Sequence, residues 1–410
     1  MSKWTFIECE KSHGLTDVPG FYLSGVHADV RQKKDGRLDL GIVYSPTPCQ
    51  AAGVFTRNRV RAAPVTYCEE RLAAGGTMQG IVANSGNANA CTGEEGMGNT
   101  REMAKLAETG TGAAEGSFFV CSTGRIGRQM PMNDVRSGIE KATKSLGTES
   151  QNGLDFANCI LTSDTRNKKI SVKVTDGTRT VSISGVAKGA GMIRPDMATM
   201  LSFITTDLAI DAKSLKEVLL AAAEVSFNAI TVDGDMSTND TVLCLANGQS
   251  GVQWEGASDE FETVYAEAFC RVCEYLAYLI VGDGEKISKV VTLEVKGAAN
   301  IEDAKKVAYA VALSPLVKSS WAGSDPNWGR VLCAVGYSGV ALEEKQLSMK
   351  YNDVDVFRKG EVIDANLSKW KQIVAGKRFE IEVDLGMGDA QTRLIASDLT
   401  PEYITFNMKE

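Results

Sequence analysis

Histidine is nearly missing from this chain: of 410 residues only His13 and His27 are histidine. A multi-histidine metal site is therefore not expected, and a Ser-His-Asp or Cys-His triad would have just two candidate bases. If the protein is an enzyme, its base is expected not to be imidazole. Long apolar runs are lacking too. Nothing approaches the ~18 residues of a membrane-crossing helix, and the opening "MSKWTFIECEKSHGLTDVPGF" has no continuous apolar core of the kind an export signal carries. A soluble, cytoplasmic protein without membrane contact is expected. Positive charge is in deficit, the formal net charge being -8, which leaves no broad basic face for a polyanion and argues against nucleic acid as a partner. The ten cysteines are scattered rather than arranged as a dense framework, so reduced thiols are expected.

What the chain does have is ordinary globular composition, 43% hydrophobic and 23% charged, with no Pro/Ser-rich linker or low-complexity tract. "GIVAN" (80–84) and "SFFVC" (117–121) read as buried strands. Val135, Ile139, Ala142 and Leu146 recur at helical spacing after Pro131. "ISVKV" and "TVSIS" alternate with period two on either side of Asp176-Gly177, a hairpin pattern. Further on, Leu215, Val218, Leu219, Ala222 and Val225 make one apolar helix face, and Phe261, Tyr265, Ala268, Val272 and Leu279 another. "VTLEV" and "FEIEVDL" read as half-buried strands. Elements mixed in this way, without a regular βαβ rhythm, predict an α+β fold.

The hairpin leads into "GVAKGAGMIRPDMATMLSF" (185–203). Its K-G-x-G lacks both the P-loop order and the dinucleotide pattern G-x-G-x-x-G, so a tight turn beside a strand is the plainer reading. A third reading makes Thr199 a nucleophile. A threonine hydroxyl needs a base, and its own α-amino group can serve once the preceding peptide bond is cut. Such a site wants a small residue before the threonine, here Ala198, and an oxyanion hole.

"KGAGMIRPDMATML" closely resembles the signature of the ornithine acetyltransferase family, also called glutamate N-acetyltransferase. The resemblance extends to "AAGVFTRNRVRAAPV" (51–65), "NSGNANACTG" (84–93), "STGRIG" (122–127), "SFNAITVDGDMSTNDT" (226–241), "SPLVKSSWAGSDPNWGR" (314–330) and "DLTPEYITFN" (398–407). It implies a four-layer α/β/β/α architecture like that of the N-terminal-nucleophile hydrolases. It implies self-cleavage between Ala198 and Thr199, giving an α chain of 1–198 and a β chain of 199–410 that begins with the nucleophile. Thr123 and Gly124 match the family's oxyanion-hole pair. Thr162, Lys188, Glu285 and Asn407 match substrate contacts. The implied reaction carries acetyl from N2-acetylornithine to glutamate through an acetyl-threonine ester, in arginine biosynthesis. No metal or prosthetic group is implied; acetyl-CoA is a candidate second donor, and the assembly would be α2β2 or larger.

Read alone, Lys188 is a solvated charge and "STG" a strand-end turn. Cys270 and Cys273, a single C-x-x-C on an apolar helix, read as packing rather than metal or redox chemistry. Asp233, Asp235 and Asp240 do not fit the calcium-loop pattern and read as shaping the site. Where the family has D-G-E-G-A-T-K this chain has "DGEKISK", placing Lys286, Ile287 and Ser288 beside Glu285, with Lys286 expected to point to solvent. The chain stops at Glu410, three residues after Asn407, where the family commonly runs on. Three other readings accompany the acetyltransferase: an N-terminal-nucleophile aminopeptidase or amidase that uses water as acceptor, a family member with altered acyl-donor specificity, and a noncatalytic ligand-binding protein on the same fold.

Overall fold

The computed structural model describes residues 3–194 and 200–408. Ala198 and Thr199 lie outside the described residues. The rest divides into two compact units, one of residues 3–189, 200–228 and 236–280, the other of 190–194, 229–235 and 281–408. The division does not follow the 198/199 boundary. A packing unit and a point of chain cleavage, which is what the resemblance implies at 198/199, are different kinds of division.

The first unit is built on a sheet with nine strands among the described residues. Thr5–Glu8, Lys168–Thr175, Thr180–Lys188, Leu201–Thr206, Thr241–Ala246, Leu40–Phe55, Met78–Asn84 and Phe118–Ser122 lie side by side in that order, and Tyr22–Val26 also pairs with Leu40–Phe55. Two of the pairings are parallel, Leu201–Thr206 on Thr241–Ala246 and Met78–Asn84 on Phe118–Ser122. The sequence-predicted hairpin is present. The Asp176 carboxylate accepts the N–H groups of Thr178 and Arg179 at 2.9 and 2.8 Å, and Gly177 takes φ 89°, which closes the turn. The helices Ala63–Ala74, Gly93–Thr111, Met132–Lys144 and Ser150–Cys159 contribute to a core around Ile81, Val120, Phe156 and Phe203.

The helix Asp259–Val281 presses onto strand Thr180–Lys188 at Gly185, where a Cβ would stand 2.8 Å from Leu276 and 2.9 Å from Val272. Only glycine lets helix and strand approach so closely. Cys273 is buried and Cys270 half-buried on that helix; both are free thiols, pushed up in pKa by burial. On the helix Ala212–Val225 the predicted face is buried except at its last residue, Val225, which is exposed.

The second unit carries a seven-stranded sheet among the described residues, in the order Glu361–Val362, Val354–Arg358, Ser348–Tyr351, Arg378–Asp384, Val290–Ala298, Ala390–Ser397 and Ile230–Thr231. "VTLEV" and "FEIEVDL" are its central parallel pair. The helices Ile301–Ala312, Pro315–Ala322, Trp328–Gly336 and Leu367–Ala375 contribute Val307, Trp321, Val331 and Trp370 to the core on this sheet. The α+β class read from the sequence is the class of the structure. Among the described residues, no helix is long and apolar enough to cross a membrane.

One buried acid sets a pH dependence on the first unit. Asp207 accepts the Ser182 N–H at 2.7 Å, and burial pushes its carboxyl up to about 6. A carboxyl raised above its unfolded value keeps its proton in the folded state between about pH 4 and pH 6, so stability falls as pH rises through that window. Asp207→Asn keeps an oxygen for Ser182 and removes the titration. It is expected to be more stable than the parent at pH 7.5 by about 2 kcal/mol, with the gap closing toward pH 4. Urea unfolding from pH 4 to 8 checks this; a gap that does not change with pH would show that Asp207 does not titrate there.

Candidate active site

The turn after strand Phe118–Ser122 is held from several sides. Thr123 N–H donates to the Asn84 carbonyl at 3.0 Å, Ser122 Oγ donates to Asn84 Oδ1 at 2.7 Å, and Asn84 Nδ2 donates to the Asn87 carbonyl at 2.9 Å. Asn239 Nδ2 donates to the Ala88 and Ser122 carbonyls at 2.6 and 2.8 Å. The buried asparagines of "NSGNANACTG" and "STND" thus supply donors to loop carbonyls at Asn87 and Ala88 and to the strand end at Ser122. Gly124 has φ 133°, and a Cβ there would stand 2.3 Å from the Gly86 carbonyl carbon. No larger residue fits without moving the backbone. Since the Thr123 N–H is committed to Asn84, any donation from Thr123 to a ligand must come from its hydroxyl.

Lys188 closes this side of the site. It ends strand Thr180–Lys188, pairs with Leu201, and is buried. The solvated charge expected of an isolated lysine is corrected here: sheet pairing carries the side chain inward, where an ammonium needs partners. Its Nζ donates to Thr123 Oγ1 at 3.3 Å and lies 3.9 Å from Asp164 Oδ2. Asp164 is buried as well. Its Oδ1 accepts Lys168 Nζ at 2.6 Å and the Gly189 N–H at 2.7 Å, and its Oδ2 accepts the Thr162 N–H at 3.1 Å. Burial pushes the Asp164 carboxyl up, but Lys188, Lys168 and these hydrogen bonds outweigh it and hold it well below the usual carboxylate range. Thr123, Lys188 and half-buried Thr162 are therefore joined through one carboxylate.

A second buried acid meets the start of strand Leu201–Thr206. Asp240 Oδ1 accepts the N–H of Met200, the residue after Thr199, at 3.0 Å. The Met200 carbonyl accepts the Thr241 N–H at 3.0 Å, and the Asp240 carbonyl accepts the Thr56 N–H at 2.9 Å. Burial holds the Asp240 carboxyl well above its ordinary range. The Asp240 carboxylate thus fixes the main chain at Met200.

The second unit contains the other two sequence-predicted residues in one hydrogen-bonded group. Asn407 Nδ2 donates to Glu285 Oε2 at 3.2 Å and to the Tyr403 carbonyl at 3.0 Å. Tyr403 Oη donates to Asp233 Oδ2 at 3.1 Å, and the Asp233 carboxylate accepts the N–H groups of Met192 and Ile193 at 2.7 and 2.8 Å. The group returns to its start at Glu285, whose N–H donates to the Ala190 carbonyl at 2.9 Å. A Cβ on Gly191 would stand 2.5 Å from the Glu285 carboxyl. Lys286 is exposed, as expected, with its ammonium 5.3 Å from the Phe406 ring centroid, and Ser288 N–H donates to Asp398 at 2.9 Å. In the motif 314–330, Lys318 is buried, donates to the Ser397 carbonyl, and is brought down to about 8 by burial, against Asp233 and Asp398.

With this geometry in place, the relatives of the chain become informative. The model of the ArgJ family matches residues 22–409. The arginine biosynthesis bifunctional protein ArgJ of Symbiobacterium thermophilum is 42% identical over 394 residues, 96% of this chain and 97% of the relative. Its namesake in Geobacter sulfurreducens is 43% identical over 392 residues, 95% of this chain and 98% of the relative. The chain belongs to the ArgJ family. Among solved structures, ArgJ of Bacillus halodurans aligns with 34% identity and a TM-score of 0.45, over 48% of this chain and 99% of that one. The ornithine acetyltransferase of Mycobacterium tuberculosis complexed with ornithine aligns with 32% identity and a TM-score of 0.43, over 47% and 98%.

Sequence reasoning does not reach Asp164, Asn84, Asn239 or Tyr403, although the last three lie inside stretches it singles out and Asp164 is two residues from Thr162. The signal is there in "LTSDT", where an acid two residues after Thr162 and four before Lys168 can gather both. Lys188 enters that group only through the strand pairing.

Proposed function

We propose that this protein is a self-processing N-acetyltransferase that moves acetyl from N2-acetylornithine to glutamate in arginine biosynthesis. Thr199 Oγ attacks the carbonyl carbon of Ala198, the peptide C–N bond breaks as an ester forms, and water cleaves the ester to free the Thr199 amine. In turnover Thr199 Oγ attacks the acetyl carbonyl while that amine takes the hydroxyl proton. The C–N bond to ornithine breaks, the proton passes to the departing amine, and an acetyl-threonine ester remains. The glutamate amine then attacks the ester and Oγ leaves with the proton restored.

Thr123, through its hydroxyl, and Gly124, through its N–H, serve the oxyanion in both reactions. Lys188 and Thr162 are assigned to the substrate, the ammonium to a carboxylate. Glu285, with its acceptor oxygens, and Asn407 are assigned to amino groups. Lys286, being exposed, leaves Glu285 its charge. No metal or prosthetic group takes part in this scheme; acetyl-CoA is a further candidate donor, α2β2 the proposed assembly, and the cytoplasm the proposed compartment. The reading rests most on the buried Lys188 ammonium seated on the hydroxyl of a turn that only glycine can complete.

Two measurements test it. Denaturing electrophoresis with N-terminal sequencing should give chains of 198 and 212 residues (410 minus 198), the second beginning Thr-Met-Leu. Purified enzyme given N-acetylornithine should release ornithine in proportion to added glutamate and form N-acetylglutamate. Release that proceeds equally without glutamate, with acetate as product, would mean an amidase. An uncut chain that binds N-acetylornithine without turnover would mean a ligand-binding protein.

A further inference from the structure

The two oxygens of Asp164 do different work. Oδ1 is occupied by Lys168 Nζ and the Gly189 N–H, at 2.6 and 2.7 Å. These contacts fasten the start of strand Lys168–Thr175 to the end of strand Thr180–Lys188. Oδ2 accepts the Thr162 N–H and faces Lys188 Nζ at 3.9 Å, within ion-pair range but too long for a hydrogen bond. Lys188 is thus attracted by Asp164 without spending a hydrogen on it, and it does donate to Thr123 Oγ1. An ammonium has donors only, so in that contact the threonine oxygen must be the acceptor. The Thr123 hydroxyl keeps its own hydrogen for another acceptor, and a cation on its oxygen makes that hydrogen a stronger donor.

We propose that Asp164 is a positioning residue for acyl transfer: it holds the Lys188 ammonium against the Thr123 hydroxyl, which turns the hydroxyl hydrogen outward to the oxyanion. This rests on the acetyltransferase reading above. Lys168 has a separate part, compensating the carboxylate within the unit so that Asp164 stays ionised where both side chains are cut off from water. A merely structural Asp164 would stabilise the fold without acting through Lys188.

A double-mutant cycle on the purified two-chain enzyme separates the two, with kcat and KM for transfer from N-acetylornithine to glutamate measured in the parent, Asp164→Asn, Lys188→Met and the double variant. Asp164→Asn is expected to lower kcat about tenfold, and in the Lys188→Met background to add less than about a twofold loss, because partners in one chain of interactions are not additive. KM is expected to change by a smaller factor than kcat in Asp164→Asn: what Lys188 does for the oxyanion is felt in the transition state, while what it and Thr162 do for the substrate is felt in binding. An undiminished tenfold factor on top of Lys188→Met, or an unchanged kcat, would overturn the proposal. If Asp164→Asn alone does not fold, the same cycle is run in Lys168→Met, where removing Asp164 leaves one buried ammonium instead of two. The same two outcomes decide it there. A parent enzyme that makes no N-acetylglutamate would overturn the functional reading and this inference together; an active parent with full additivity would overturn this inference alone.

Discussion

Thr199→Ala protein is expected to run as one uncut chain of 410 residues and to lose acyl transfer altogether, by at least about 10⁴-fold. One oxygen is proposed to open the peptide bond and to carry the acetyl group, and neither neighbour in sequence, Ala198 or Met200, has a side-chain oxygen to stand in for it. The fold should persist. The contacts that frame the stretch, Gly189 N–H on Asp164, Met200 N–H on Asp240 and the pairing of Lys188 with Leu201, involve no atom of residue 199. Thr199→Ser should cut and transfer at reduced rates, since it keeps an oxygen nucleophile and an α-amine. Intact mass and a glutamate-dependent transfer assay read both variants. A Thr199→Ala chain that still splits, or an uncut one that still transfers, would place the nucleophile elsewhere.

Thr123→Ala is expected to slow self-cleavage and acetyl transfer alike, each by about 10²–10³-fold, or about 3 to 4 kcal/mol of transition-state stabilisation. The substitution removes only the hydroxyl. The Thr123 N–H stays on the Asn84 carbonyl, Gly124 keeps its backbone conformation, and the asparagine contacts around the turn do not touch the lost atom. Lys188 loses an acceptor inside the protein, so a modest fall in melting temperature should accompany the rate loss. The precursor can be followed on a gel as it cuts, and transfer measured once cutting is complete. Slow cutting followed by normal turnover would mean that the two reactions do not share an oxyanion site.

Much of the scaffold was legible because the patterns that encode it are local. Alternation around Asp176-Gly177 marks a hairpin wherever the rest of the chain goes, and the strands at 80–84 and 117–121 are apolar runs ended by small or polar residues. The α+β class follows from the mixture of such elements. Lys188 shows the limit. Nothing within ten residues distinguishes a buried lysine from a solvated one; the difference is made by Asp164, 24 positions upstream, and by Thr123, 65 positions upstream. The two compact units are illegible for a similar reason. The chain passes between them several times without a linker, so neither composition nor charge shifts at the boundary. Asparagines that serve backbone carbonyls look like any polar loop until donor and acceptor, as far apart as Asn239 and Ala88, are brought together.

Nicking a chain ordinarily gives the new ends their freedom, and with it a route to unravelling. Here each side of the bond between Ala198 and Thr199, the proposed point of cleavage, is moored in the uncut chain: upstream at Gly189 on one buried carboxylate, downstream at Met200 on another. Both moorings grip main-chain N–H groups, so they are indifferent to which side chains occupy the stretch. They would be lost to proline at either position. A protein matured in this way would keep its strand ladder through the cut, and its new amino terminus would begin one residue before a fixed point.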